Sequence, residues 1–265
     1  VLRAPGLYVE KHGADVDPDR KARPSRSLRG PKAGRIVRAL VDSLRPPGVR
    51  ELAQRAAVDP GYVSRVLVLL DREALIERRS TGGMHAPGFR RGGETGPRRS
   101  RRAGGLSRPR RGPIVRVDWQ RLLRRWAGEA PLEFRGTLTT CLEPRGLESL
   151  ESRLRKLSVR HAVTGTLAAA RLTQVAPPRL AVVYIDDTAG AVAGLDLRPA
   201  ESGANVILIE PADDGVYAGA AAHEGLTFVA ASQAAADLLT SPGRGPAEAE
   251  QLIGWMSGHE ELWRG

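Results

Sequence analysis

The dipeptide Asp59-Pro60 constrains this chain more than any other feature, because it separates two short apolar stripes with room for nothing but a turn. Upstream, Val49, Leu52, Ala53 and Ala56 fall at i, i+3, i+4 and i+7, one face of a short helix. Downstream, Val63, Val66, Leu67 and Leu70 form a second stripe with helical spacing. An aspartate carboxylate accepts the unpaired N–H groups at a helix start. Proline at the first helical position gives up no bond it would otherwise make. Residues 49–79 therefore read helix, tight turn, helix, then a strand beginning at Leu75 and Ile76. That is the order of a winged helix-turn-helix, whose second helix enters a groove of duplex DNA. The face of that helix away from its stripe opens with Gly61, Tyr62, Ser64 and Arg65, whose small, hydroxyl and guanidinium groups suit phosphates and base edges. Arg78 and Arg79 leave the strand at the tip of the wing. These six residues are the expected DNA-binding set; the alternative is an ordinary helical hairpin with a solvated basic face.

The charge distribution bears on that choice. The chain of 265 residues carries a formal net charge of +11. Residues 1–113 hold 26 Lys and Arg against 11 Asp and Glu, a net +15, and the remainder holds 15 against 19, a net −4. The excess belongs to the half with the helix-turn-helix, and a field of that sign attracts a polyanion and speeds encounter. The arginine richness itself carries no weight, since GC-rich coding produces it; the asymmetry does. No run of 18 apolar residues is present, so no membrane span is expected. Nothing near the start has the form of a signal peptide. Cys141 is the single cysteine, so neither an intramolecular disulfide nor a zinc cage is expected, and a cytoplasmic location is the simplest expectation.

The expected fold is α+β in three parts. Residues 1–31 form a residual strand, Leu7 to Val9, and a basic linker. Val1 in place of an initiator methionine suggests a fragment or a non-AUG start, with Leu7–Val9 the last strand of a domain upstream. Residues 32–130 form the winged helix-turn-helix. Its first helix runs from Lys32 to Leu44, with Ile36, Val37, Leu40, Val41 and Leu44 on the core face and Arg35 and Arg38 on the other. Residues 80–112 are Gly-, Arg-, Pro- and Ser-rich and are expected to be a disordered insertion in the wing. Ile114 to Val117 resumes as the returning strand, and Asp118 caps a helix with Trp119, Leu122, Leu123 and Trp126 on one face.

Residues 131–265 are expected to be an α/β domain. Leu132 to Leu157 reads as helical, broken at Pro144-Arg145-Gly146. Arg160 to Val163, Leu180 to Ile185, Val206 to Ile209 and Leu226 to Val229 read as strands. Ser232 is expected to cap a helix to Leu239. Pro246 opens a last helix carrying Leu252, Ile253, Trp255, Met256, Leu262 and Trp263.

An enzymatic alternative rests on Gly165-Thr166 after the first strand of this domain. Nucleotidyltransferase-like folds pair such a turn with two carboxylates on the next strand, which hold divalent ions for in-line phosphoryl chemistry. Asp186 and Asp187 close that strand here, and Glu210, Asp213 and Asp214 follow the later one. The carboxylates are adjacent and terminal, and the strand interior has none. No catalytic residue, cofactor or metal is therefore expected, and the domain reads as degenerate. His12, His85, His161, His223 and His259 show no ligand spacing. Cys141 has no base nearby and reads as a core thiol. No phosphate-binding GxxxxGK[ST] loop is present. Arg244, in SPGRGPAEAE, is placed in a turn before a helix.

The segments IVRVDWQRLLRRWA, RHAVTGTLAAARL, APPRLAVVYIDD, GANVILIEPADD and VAASQAAADLLTSPGRGPAEAEQLIGWM resemble helix-turn-helix proteins similar to AbiEi antitoxins of type IV toxin–antitoxin systems. The resemblance extends from about Leu28 to the C-terminus. It implies a DNA-binding transcriptional autoregulator, with Gly61, Tyr62, Ser64 and Arg65 toward double-stranded DNA. It also implies a C-terminal domain that neutralises a cognate toxin protein. Insertion 80–112 departs from the short wing of that family. Paired half-sites, common for such regulators, would make the protein a homodimer.

Overall fold

The computed structural model describes residues 27–79 and 112–265 in full, and the backbone of two short strands before them. Those strands, β1 (Leu2–Ala4) and β2 (Leu7–Val9), pair antiparallel. The strand expected at Leu7–Val9 is thus one half of a hairpin. Most of the basic linker and residues 80–111 lie outside the described residues.

Three helices follow: α1 (Pro31–Val41), α2 (Val49–Arg55) and α3 (Pro60–Arg72). Their apolar stripes are the predicted ones, and Ile36, Val37, Leu40, Leu52, Val63, Val66, Leu67 and Leu70 are all fully buried. Leu44 is the exception: α1 stops at Val41, and Leu44 lies 46% exposed beyond it. β3 (Ile76–Arg78) and β4 (Ile114–Val117) close an antiparallel ladder, Ile76 opposite Val117 and Arg78 opposite Ile114. The insertion therefore leaves and rejoins the fold at one point. α4 (Trp119–Glu129) is capped by Asp118, whose carboxylate accepts from Arg121 N–H at 3.2 Å. It packs on α1 where Gly34 leaves room for the Trp126 indole, a Cβ there coming within 3.2 Å of the ring.

The remainder supplies β5 (Gly136–Leu142), α5 (Leu147–Leu154), β6 (His161–Thr164), α6 (Gly165–Ala170), β7 (Ala181–Ile185) and α7 (Thr188–Gly194). Then come β8 (Arg198–Pro199), β9 (Val206–Pro211), β10 (Ala221–His223), β11 (Leu226–Phe228), α8 (Ala231–Leu238), α9 (Gly245–Gly258) and α10 (Glu260–Trp263). A mixed seven-stranded sheet runs in the order β10-β11-β6-β7-β9-β5-β8. β7 pairs antiparallel with β6 and parallel with β9, and all five of its residues are buried, as befits a strand covered on both faces. The molecule is thus a mixed α+β fold.

Three sequence readings need correction. Residues 136–142 are a strand, not helix: Gly136, Thr137, Thr139 and Thr140 are weak helix formers. Gly136 also sits so close to β9 that a Cβ would fall 2.1 Å from the Glu210 carbonyl oxygen. Ser232 does not cap α8. Ala230 holds that position, and Ser232, buried two residues later, donates to the Asp42 carboxylate. The last helix breaks at His259 (φ −139°), so Leu262, 70% exposed, and Trp263 belong to a separate turn of helix.

The two halves share one apolar core. The chain end returns to α1, where Arg264 donates to the carbonyls of Val41 (2.9 Å) and Ser43 (2.7 Å) and Gly265 N–H donates to Asp42 O (2.9 Å). Trp119 donates to Glu260 at 2.7 Å and meets Trp263 edge to face at 5.0 Å. Among the described residues no helix is long and apolar enough to cross a membrane.

Candidate nucleic-acid interface

The α2–α3 turn is short because it closes on its own backbone. Val58 N–H donates to Ala53 O (3.0 Å) and Ala57 N–H to Gln54 O (3.1 Å), a Schellman-type termination. Ala57 holds the left-handed position (φ 49°) at which glycine is customary. Two residues on, the Asp59 carboxylate accepts from the N–H groups of Gly61 (2.8 Å) and Tyr62 (3.1 Å), as the sequence predicted. The start of α3 is therefore fixed at both its entering turn and its cap, and the buried stripe Val63–Val66–Leu67–Leu70 sets its rotation.

That rotation leaves Gly61 and Ser64 exposed and Tyr62 and Arg65 half-buried. The Arg65 guanidinium lies 5.4 Å from the centroid of the Tyr62 ring, a cation–π pair one helical turn apart. Ser64 donates its hydroxyl proton to Pro60 O at 2.9 Å, so its lone pairs face outward as acceptors. These four residues form one continuous edge of α3.

Arg78 and Arg79 part company. Arg79 is exposed. Arg78 is only 8% exposed, and its Nε donates to Gly112 O at 3.0 Å, clamping the neck through which the insertion leaves. Burial pulls its pKa down, partly opposed by Asp71. Arg78 is thus a structural arginine turned inward, because strand alternation puts it on the same face as Ile76.

Sequence reasoning missed three further cations, one each on α2, α3 and β4. Arg50, Arg72 and Arg116 are exposed and, like Arg65 and Arg79, form no ion pair among the described residues. Arg72 was readable in principle, since it lies seven residues after Arg65 and so on the same helical face. Arg35 and Arg38, read as the outer face of α1, are spent internally. Arg35 approaches Asp213 at 3.8 Å. Arg38, 3% exposed, donates to Gln233 Oε1 (2.5 Å) and Ala218 O (2.8 Å) and pairs with Asp42 (3.1 Å).

Gln233 leads into a polar network that has no local signature among its residues. The fully buried Asp237 carboxylate accepts from Thr164 Oγ1 (2.7 Å), Gln233 Nε2 (2.9 Å) and Tyr184 OH (3.1 Å). It also faces Arg135 Nε at 3.2 Å, and the Arg135 guanidinium lies 4.3 Å from the Trp126 ring centroid. One chain of contacts thus links α4, β6, β7, α8, α1 and the residue before β5.

The residues of the nucleotidyltransferase-like alternative are not brought together. Antiparallel register sets Thr164 opposite Val182 and His161 opposite Ile185. Gly165-Thr166 and Asp186-Asp187 therefore lie at opposite ends of the β6–β7 pair, roughly 13 Å apart along the strands. The acids also have separate partners. Asp187 caps α7 through Gly190 N–H (2.8 Å), and Asp186 accepts from Tyr217 OH (2.8 Å). Thr188 donates to Glu210 (3.4 Å), while Arg160 lies 3.5 Å from Asp214. Among the described residues no group of three His, Cys, Asp or Glu is placed to hold a metal ion. Cys141 is fully buried, and burial raises its thiol pKa, which suits a core residue.

No family model, curated protein or solved structure matches the chain.

Proposed function

We propose that α1–α3 with β3–β4 act as a winged helix-turn-helix, and that the protein is a DNA-binding transcriptional regulator. One observation carries the reading. A helix fixed by a cap, a closed turn and a fully buried stripe leaves Gly61 and Ser64 exposed and Tyr62 and Arg65 half-buried along one edge, with Arg65 in no ion pair among the described residues. In this reading the first turns of α3 enter the major groove. Arg65 reaches a base edge or phosphate, steadied by the Tyr62 ring, and Ser64 accepts from a base amino group. Arg72, Arg79 and Arg116 lie along the flanking phosphates and set register rather than sequence.

The resemblance to AbiEi-type antitoxins extends this to autorepression as a homodimer on paired half-sites, with the seven-stranded domain engaging a cognate toxin protein. Co-purification with the product of the adjacent gene tests that extension separately.

The central test is selection of duplexes from a random library, followed by fluorescence anisotropy across a salt series. Affinity should fall steeply with salt. Arg65→Ala should weaken the selected duplex by about 1–3 kcal/mol if it reads a base. Arg72→Ala should weaken all duplexes alike and lower the salt slope by about one. Binding that is indifferent to Arg65→Ala and Tyr62→Ala combined removes this reading.

A further inference from the structure

A cavity of about 360 Å³ lies where the turn after β6 meets the loop between α8 and α9. Its walls are Gly165-Thr166, the segment Ser241–Gly245, and apolar surface from Leu180, Val182 and Leu238. Arg179 and Arg244 both line it. Arg179 is exposed and forms no ion pair among the described residues. Arg244 donates to Pro177 O at 3.4 Å, and its nearest carboxylate, Glu248 Oε1, is 3.8 Å from its Nε. In a half of the chain with net charge −4, two incompletely neutralised guanidinium groups thus line one concavity.

Glycines set the path of the chain around them. Gly165 and Gly243 take left-handed conformations (φ 67° each). A Cβ at Gly245 would strike the Ser241 side chain at 2.6 Å and Leu238 O at 2.8 Å, so glycine there lets the loop wrap tightly over the end of α8. Ser241 donates to Asp237 O at 2.8 Å, leaving its oxygen lone pairs as acceptors. Glu248, 5% exposed, accepts from Thr166 Oγ1 at 2.5 Å, which leaves its other oxygen as an acceptor beside Arg244. The lining thus offers a cationic fork, one buried carboxylate and an apolar wall in a volume suited to a small metabolite.

We propose that this cavity binds a small polar molecule by its oxyanion, a phosphate or carboxylate group held between Arg179 and Arg244, with a hydroxyl or amine of the same molecule donating to Glu248. Guanidinium groups match both oxyanions in a two-point geometry. The buried Glu248 disfavours a bare anion and selects for one that carries a donor. The site stands independently of whether α3 meets DNA.

The test is isothermal titration of the whole protein at pH 8 with methyl phosphate, succinate, ribose 5-phosphate and L-serine. These probes separate phosphate from carboxylate and bare anions from donor-bearing ones. At least one donor-bearing probe should bind saturably with Kd below about 1 mM, and more tightly than the bare anion with the same oxyanion group. Arg179→Gln should weaken it at least several-fold, and Arg179→Ala with Arg244→Ala at least tenfold. Arg198→Ala, an exposed arginine elsewhere, should leave it unchanged. Both pocket arginines are exposed, so the urea midpoints of these variants should match the wild type. Absence of saturable binding by every probe, or binding that the double variant leaves intact, overturns the proposal.

Discussion

Removing the Asp237 side chain separates two sources of stability that a buried ion pair normally mixes. Asp237→Ala strands Thr164 Oγ1, Tyr184 OH, Gln233 Nε2 and the Arg135 guanidinium, which is itself only 8% exposed. An uncompensated buried cation costs about 3–5 kcal/mol. The neutral donors add less than their separate values of about 1–3 kcal/mol, because they share one acceptor site and relax together. A loss of about 4 kcal/mol therefore follows, or roughly 10 °C in Tm for a chain of this size. Asp237→Asn keeps the shape and one acceptor oxygen but also leaves Arg135 without a counter-charge, and should cost about 3 kcal/mol, less than Ala by the donors it still satisfies. Burial pushes the Asp237 pKa above the ordinary carboxylate range, against the opposing pull of Arg135 and the three donors. The folded state thus holds the proton to higher pH than the unfolded state. Wild-type stability falls as pH climbs from the ordinary carboxylate value through the raised one. Asn cannot ionise, so the deficit of Asp237→Asn should shrink as pH rises through that window. Urea melts followed by tryptophan fluorescence are well placed to measure this, since Trp126 lies under Arg135. If Asp237→Ala loses less than about 1 kcal/mol, or if Asn is as damaging as Ala, the attribution to stranded donors is wrong.

Three further outcomes are expected. Burial would raise the Glu129 carboxyl, but donation from Leu28 N–H, Arg125 and Ser27 carries it below the usual range. Its contribution is thus full above the ordinary glutamate value and disappears as pH falls through the depressed one. Glu129→Gln should cost about 1–2 kcal/mol at neutral pH and little near pH 3, measured by urea melts at both. Asp59→Ala removes the cap bonds to Gly61 and Tyr62 and should cost about 1 kcal/mol in the same assay. Gly136→Ala forces β5 away from the Glu210 carbonyl and should cost about 1–3 kcal/mol; a variant as stable as wild type would show that the β5–β9 approach is not tight.

The α2–α3 segment was legible because its signals are local. Cap, stripe and proline all act within a few residues, and α3 begins and buries where they require. The strands β7 and β9 were legible for a similar reason, as apolar β-branched runs closed by acids. β5 was not. Its only sequence signal is a threonine-rich, weakly alternating run next to leucines in helical spacing, and what settles its conformation is the distant strand β9. Arg78 was misplaced because a charged residue at a strand end is usually solvated. Only the carbonyl of Gly112, across 34 residues of chain, explains its burial. The Arg38–Gln233–Asp237–Arg135 network joins residues up to 199 positions apart and has no periodicity to betray it.

That network also alters what the basic N-terminal half means. Part of its charge faces inward. Arg35 and Arg38 tie α1 to Asp213 and Gln233 in the sheet-bearing half. These arginines contribute no free charge to an outer face. What remains exposed and without an ion pair among the described residues of that segment is Arg29, Lys32, Arg45, Arg50, Arg72 and Arg79, with Arg65 half-buried. Among the described residues, the charge available to a polyanion near the edge of α3 is therefore smaller than the count of arginines suggests. Since α1 is bonded to both α8 and the returning chain end, that edge is held in a fixed relation to the sheet. A ligand bound at the far end of α8 and a duplex bound at α3 would meet through the same helix pair, α1 and α8. Arg38→Ala, which cuts their direct polar link and touches neither surface, is the substitution that separates coupling from binding. If the two sites communicate through that pair, it should abolish any effect of a bound anion on duplex affinity while leaving each ligand's own affinity nearly unchanged.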